Sequence, residues 1–71
     1  MPNPGDLVIL MSVPPSLYNG LPEDERSAIR NVVGKPVTFA GLSYGQAEIE
    51  FTDNRGDDHT IWVDVSRIRP A

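Results

Sequence analysis

The chain has 71 residues, ten acidic against six basic side chains, a net charge of −4 and no cysteine. One domain, spanning residues 1–71, is all this length can build, and since a chain of this size buries only roughly 60% of its unfolded surface, apolar packing must hold it without disulfides or a thiolate zinc site. The acidic balance repels the phosphate backbone that dominates nucleic-acid affinity, and with no basic leader in Met1-Pro2-Asn3-Pro4-Gly5 and no apolar run longer than Leu7 to Met11, a soluble, cytoplasmic protein without a membrane partner is expected.

Gly5-Asp6 is turn chemistry, and the branched-rich run Leu7 to Met11 behind it predicts a first strand buried on both faces. Pro14 and Pro15 lack amide hydrogens, so Ser12 to Gly20 is expected as an irregular extended segment anchored by Leu17 and Tyr18. Pro22 suits a first helical position, Glu23, Asp24 and Glu25 place negative charge where the helix dipole favours it, and Gly34 with Pro36 ends the segment. These signals predict a helix between Pro22 and Val33 with a narrow apolar stripe of Leu21, Ala28, Ile29, Val32 and Val33, which must be buried against something.

From Pro36 the period is two. Val37 and Phe39 alternate with Thr38 and Ala40, and Ala47, Ile49 and Phe51 alternate with Glu48, Glu50 and Thr52, so two half-buried strands follow. Ser43-Tyr44-Gly45 is expected as a three-residue loop with a glycine bulge, leaving Leu42 near Gln46. Asn54-Arg55-Gly56 repeats that form and leads to a strand His59 to Val63; a left-handed Gly56 pairs Ile49 with Ile61, Ala47 with Val63 and Glu48 with Trp62. Asp64 to Arg67 is expected as a single helical turn and Ile68-Arg69 as a last short strand. Five short strands in so small a chain favour a closed or nearly closed barrel, which hides strand edges.

The segment Trp62-Val63-Asp64-Val65-Ser66-Arg67-Ile68-Arg69-Pro70 resembles the end of an SH3 domain, with Val63 and Ile68 at the positions of its core residues. Gly5-Asp6-Leu7-Val8 and Glu48-Ile49-Glu50-Phe51-Thr52-Asp53 are similar to small bacterial SH3-like domains, so the likeness covers most of the chain outside Ser12 to Val33. It implies a mostly β, five-stranded SH3-like barrel with one short helix inserted between strands 1 and 2. Proline-binding SH3 domains line their groove with a proline and a tyrosine of that closing segment; Asp64 and Arg67 stand there instead, so no polyproline docking is implied. Similar barrels also serve as nucleic-acid-binding modules and as accessory subunits or terminal domains of larger enzymes; the acidic balance argues against the first use and permits the second.

The densest polar cluster, Asp53 to His59, has donors for a divalent cation but not an EF-hand spacing, since Gly56 as the invariant glycine would make Phe51 the first ligand; solvated turn residues account for it better. His59 is the only histidine, and no serine lies in a nucleophile context, so an enzyme is not expected and no metal or cofactor is assigned. Arg55-Gly56-Asp57 spells an adhesion tripeptide in ordinary turn vocabulary. Trp62 shares the outer strand face with Glu48, Glu50, Thr52 and Thr60. It is either an interface anchor, or it is covered by the helix or the Ser12 to Gly20 segment in a second small core, the arrangement that the need to bury the helix stripe favours. The expected function is a non-catalytic protein-interaction or accessory-subunit module that binds another protein or its own copy, with Trp62, Glu48, Glu50 and Arg67 as candidate contacts. A nucleic-acid-binding barrel and a small metal-dependent enzyme are the alternatives.

Overall fold

A computed structural model describes residues 2–71, so only Met1 of the expected 1–71 domain lies outside the described residues. Five antiparallel strands, β1 (Leu7–Leu10), β2 (Pro36–Ser43), β3 (Gln46–Thr52), β4 (Asp58–Asp64) and β5 (Ile68–Pro70), form one sheet in the order β4-β3-β2-β1-β5. The expected closure of the barrel is not made by strand pairing. β5 has three residues and pairs with β1, so β4 and β5 remain the two edges of an unclosed sheet, joined by a 3-10 turn, η2 (Val65–Arg67). A further 3-10 turn, η1 (Pro15–Tyr18), and a helix, α1 (Glu23–Val32), lie between β1 and β2. No helix among the described residues is long and apolar enough to cross a membrane.

The core is the inner face of this sheet. Val8, Leu10, Val37, Phe39, Ala47, Ile49, Ile61, Val63 and Ile68 are buried there, and Ile29 of α1 belongs to the same cluster. Half-buried Leu17, Tyr18, Leu21, Val32 and Val33 pack against its margin, so the predicted helix stripe is buried on the inner side. β1 departs from the expectation of two buried faces: Leu7 is 57% and Met11 43% exposed, because one side of the single sheet faces solvent. The segment after β1 is also less extended than expected, since Pro15 starts a helical turn in which its fixed dihedral suits an early position.

The helix stands within the limits drawn from Pro22 and Gly34. Pro22 is its N-cap, the three acids fill the first turn, and Gly34 adopts φ +86° just past the Val33 C-cap, a conformation that glycine takes without Cβ strain. Glu23 holds Arg26 at 3.1 Å and Arg30 at 2.6 Å, but these groups are largely exposed, and such pairs are each worth about 0 to 1 kcal/mol. Burial of Ala28 and Ile29 fixes the helix more than its charges do.

Two irregularities set the sheet register. β2 and β3 are joined by a two-residue turn, not the expected three-residue loop: Tyr44 (φ 53°) and Gly45 (φ 78°) are both left-handed, Ser43 pairs with Gln46 and Leu42 with Ala47. That is the type I′ geometry whose twist matches a hairpin. The extra residue falls inside β2 instead, where Phe39 pairs with Ile49 and Gly41 with Glu48, leaving Ala40 as a bulge. A bulge inserts one residue and reverses the side-chain parity beyond it, so Leu42 shares a face with Phe39 although they are three positions apart. The β3–β4 turn follows expectation. Gly56 (φ 86°) donates to the Asp53 carbonyl at 3.0 Å, and Ile49 pairs with Ile61, Ala47 with Val63 and Glu48 with Trp62.

Candidate functional site

Two places gather polar or aromatic side chains: the β3–β4 turn and the outer face of the strands it joins. In the turn, Asp53 is a structural hub. Its Oδ1 accepts the backbone N–H groups of Arg55 (2.8 Å) and Asp57 (2.9 Å), and its Oδ2 accepts His59 Nε2–H at 2.8 Å. The carboxyl is held down to about 2 from its ordinary 3.8, first by the His59 bond and next by the Asp57 amide. His59 stacks on Phe51 with ring centroids 5.1 Å apart. Arg55 reaches Asp24 of α1 at 3.2 Å and ties the turn to the helix. Both oxygens of Asp53 are therefore engaged in shaping the turn, and among the described residues no three His, Asp or Glu side chains converge on a point that could hold a metal ion.

This geometry carries a pH dependence of known sign. The folded-state value of Asp53 lies below the unfolded 3.8, so its ionised form stabilises the fold above that pH, and the contribution is lost as pH falls toward about 2. Acid unfolding monitored between those values should therefore lose part of its steepness in Asp53→Asn. An identical acid limb in wild type and variant would contradict the assignment.

On the outer face, Trp62 lies opposite Glu48, and Glu50 lies opposite Thr60. Trp62 is 48% exposed, which corrects the favoured expectation of a covered tryptophan: α1 buries its stripe on the inner face, and Tyr18 meets Arg30, whose guanidinium lies 5.8 Å from its ring centre. Thr52 Oγ1 donates to Asp58 Oδ1 at 2.7 Å across the hairpin. Asp64 accepts the Ser66 N–H at 2.9 Å as the cap of η2, which holds its carboxyl below the ordinary range. Among the described residues no cationic group lies within 4 Å of Glu48, Glu50, Asp58 or Asp64.

The structure thus brings Trp62, Glu48 and Glu50 onto one face, whereas Arg67 is engaged elsewhere. Its Nη1 donates to Ser12 Oγ at 2.9 Å and its carbonyl accepts the Met11 amide at 2.8 Å, so it fastens η2 to the end of β1. The hairpin end has a shallow outer-face depression of about 320 Å3 between Thr38, Glu50, Thr52 and Thr60. A second hollow of about 210 Å3, not foreseen from the sequence, runs beside β4 and is lined by Leu17, Leu21, Ile29, Ile61 and Trp62 among others. The apolar Leu17 and Leu21 were the sequence signal for it; their placement beside a strand edge was not. No family model matches the chain, and no curated protein or solved structure matches it.

Proposed function

We propose that this chain is a non-catalytic interaction module or accessory subunit on an SH3-like scaffold, which docks another protein through the outer face of β3 and β4. The observation that carries this reading is Trp62, 48% exposed on the outer face of the edge strand β4. A large aromatic among carboxylates offers apolar area and orientation together, the combination enriched at interface anchors. The SH3-like reading is supported by the strand order, by the 3-10 turn between the last two strands and by the buried positions of Val63 and Ile68. A catalytic role finds less support, because His59, the only histidine, donates into a structural turn and has no nucleophile bonded to it.

The test is Trp62→Ala in the full chain. Urea melts should show a change of about 1 kcal/mol or less, as for surface substitutions, while a protein retained by the tagged wild-type chain from its native extract should be held at least about tenfold more weakly. A stability loss of about 3 to 5 kcal/mol would mean a buried tryptophan. An unchanged set of retained proteins would remove this face from the reading.

A further inference from the structure

The interaction reading gains a partner chemistry from the edge of β4. β4 pairs with β3 on one side only, and no backbone hydrogen bond from another described segment reaches it on the other. Which of its groups are free follows from the alternation of an antiparallel ladder. The Asp53 amide bonds to the Asp57 carbonyl at 2.9 Å, so positions 53 and 57 form a hydrogen-bonded pair. Alternation then makes Phe51–His59 and Ile49–Ile61 bonded pairs and turns the N–H and C=O groups of Asp58, Thr60 and Trp62 away from β3, toward the open edge.

The flank of that edge is mainly apolar on one side and acidic on the other. Toward the inner side lies the hollow walled by Leu17, Leu21 and Ile29, with Glu25 and His59 also in its lining. Toward the outer side stand Glu48, Glu50, Asp58 and Asp64, with no cation within 4 Å among the described residues, and Trp62 lies between them. A strand laid along β4 places its side chains alternately on these two sides.

We propose, building on the interaction reading, that the free edge of β4 takes up an extended basic segment of another protein as a sixth strand. Its outward side chains are arginine or lysine, facing the carboxylates and the Trp62 ring, and its inward side chains are aliphatic and enter the hollow. Backbone bonds to Asp58, Thr60 and Trp62 supply the attachment, alternate side chains supply the selection, and an arginine over the indole adds a cation–π contact. A second copy of this chain is disfavoured in the register that overlaps the two β4 strands fully. Antiparallel pairing of two β4 edges centred on Ile61 sets Asp58 opposite Asp64 at both ends, and directly opposed like charges destabilise a strand pair.

The probe is a capped heptapeptide of alternating arginine and valine, titrated into the full chain while the fluorescence of Trp62, the only tryptophan, is followed. A saturable blue shift is expected. Three control peptides should each bind at least about tenfold more weakly, a difference of about 1.4 kcal/mol: one with the arginines replaced by glutamates, one with the same residues in two blocks, and one N-methylated at the alternate amides that would face β4. Absence of a saturable response to the alternating peptide would overturn the inference, as would equal binding of the N-methylated or the glutamate peptide. A dimer in sedimentation that the alternating peptide fails to dissociate would overturn it in favour of a second copy. Loss of a native partner in Trp62→Ala, together with no response to the alternating peptide, would leave the interaction reading standing and sink the strand addition alone.

Discussion

Phe39→Ala should leave the domain close to unfolding. Phe39 is 1% exposed, the largest of the fully buried side chains, and it sits opposite Ile49 in the middle of the sheet, one residue before the bulge at Ala40. Truncation removes the ring and leaves a cavity that β2 is poorly able to collapse around, because the bulge fixes its course; such changes cost about 3 to 5 kcal/mol. At the usual stability per residue a chain of this size has only about 4 to 10 kcal/mol in total. With a urea slope of about 1 kcal/mol per molar, near the low end for small domains, the midpoint should fall by several molar. Leu42→Ala serves as the control, since Leu42 is on the same strand and shares the face of Phe39 but is 50% exposed. A loss for Phe39→Ala no greater than that for Leu42→Ala would show that the core is not centred on β2.

The elements that could be read in the sequence are those whose signal is local. Pro22 and Gly34 bracket a helix because one has a fixed dihedral and the other tolerates a left-handed one, and the observed limits fall just inside them. Gly56 fixes the β3–β4 turn in the same way, and with the turn comes the register, which is why the sequence alone sets Trp62 opposite Glu48. Tyr44 breaks this pattern. A left-handed tyrosine carries a steric cost that no propensity argument would choose, so the turn was expected to be one residue longer, and the compensating bulge at Ala40 left no trace in the alternation of Val37 and Phe39.

The candidate site divides along the same line. Its membership, Trp62 with Glu48 and Glu50, follows from a period of two and needs nothing distant. Its accessibility depends on which side of the sheet the inserted helix takes, and an apolar stripe specifies only that it must be buried, not where. The role of Arg67 was likewise out of reach, because its hydroxyl partner Ser12 is 55 positions away.

Ile29→Ala is the substitution that tests the placement of the helix. Ala28 and Ile29 are the only two residues of α1 that are buried, and Ile29, at 2% exposure, joins the cluster containing Phe39, Ile49 and Ile61. Truncating a buried isoleucine costs about 2 to 5 kcal/mol, whereas the ion pairs of α1 with Glu23 are exposed and could hold the helix by no more than about 1 kcal/mol each. The helix should therefore not survive as a separately folded flap. Because Ile29 lies in the same core as the strands, helix and sheet should still melt in one transition, lowered in midpoint, with far-ultraviolet and Trp62 fluorescence signals coincident. The same substitution removes part of the wall beside β4, so at temperatures where the variant remains folded the arginine–valine peptide should bind more weakly than to wild type. Separate transitions for helix and sheet, or a loss of stability below about 1 kcal/mol, would show that α1 rests on the surface of the domain and not in its core.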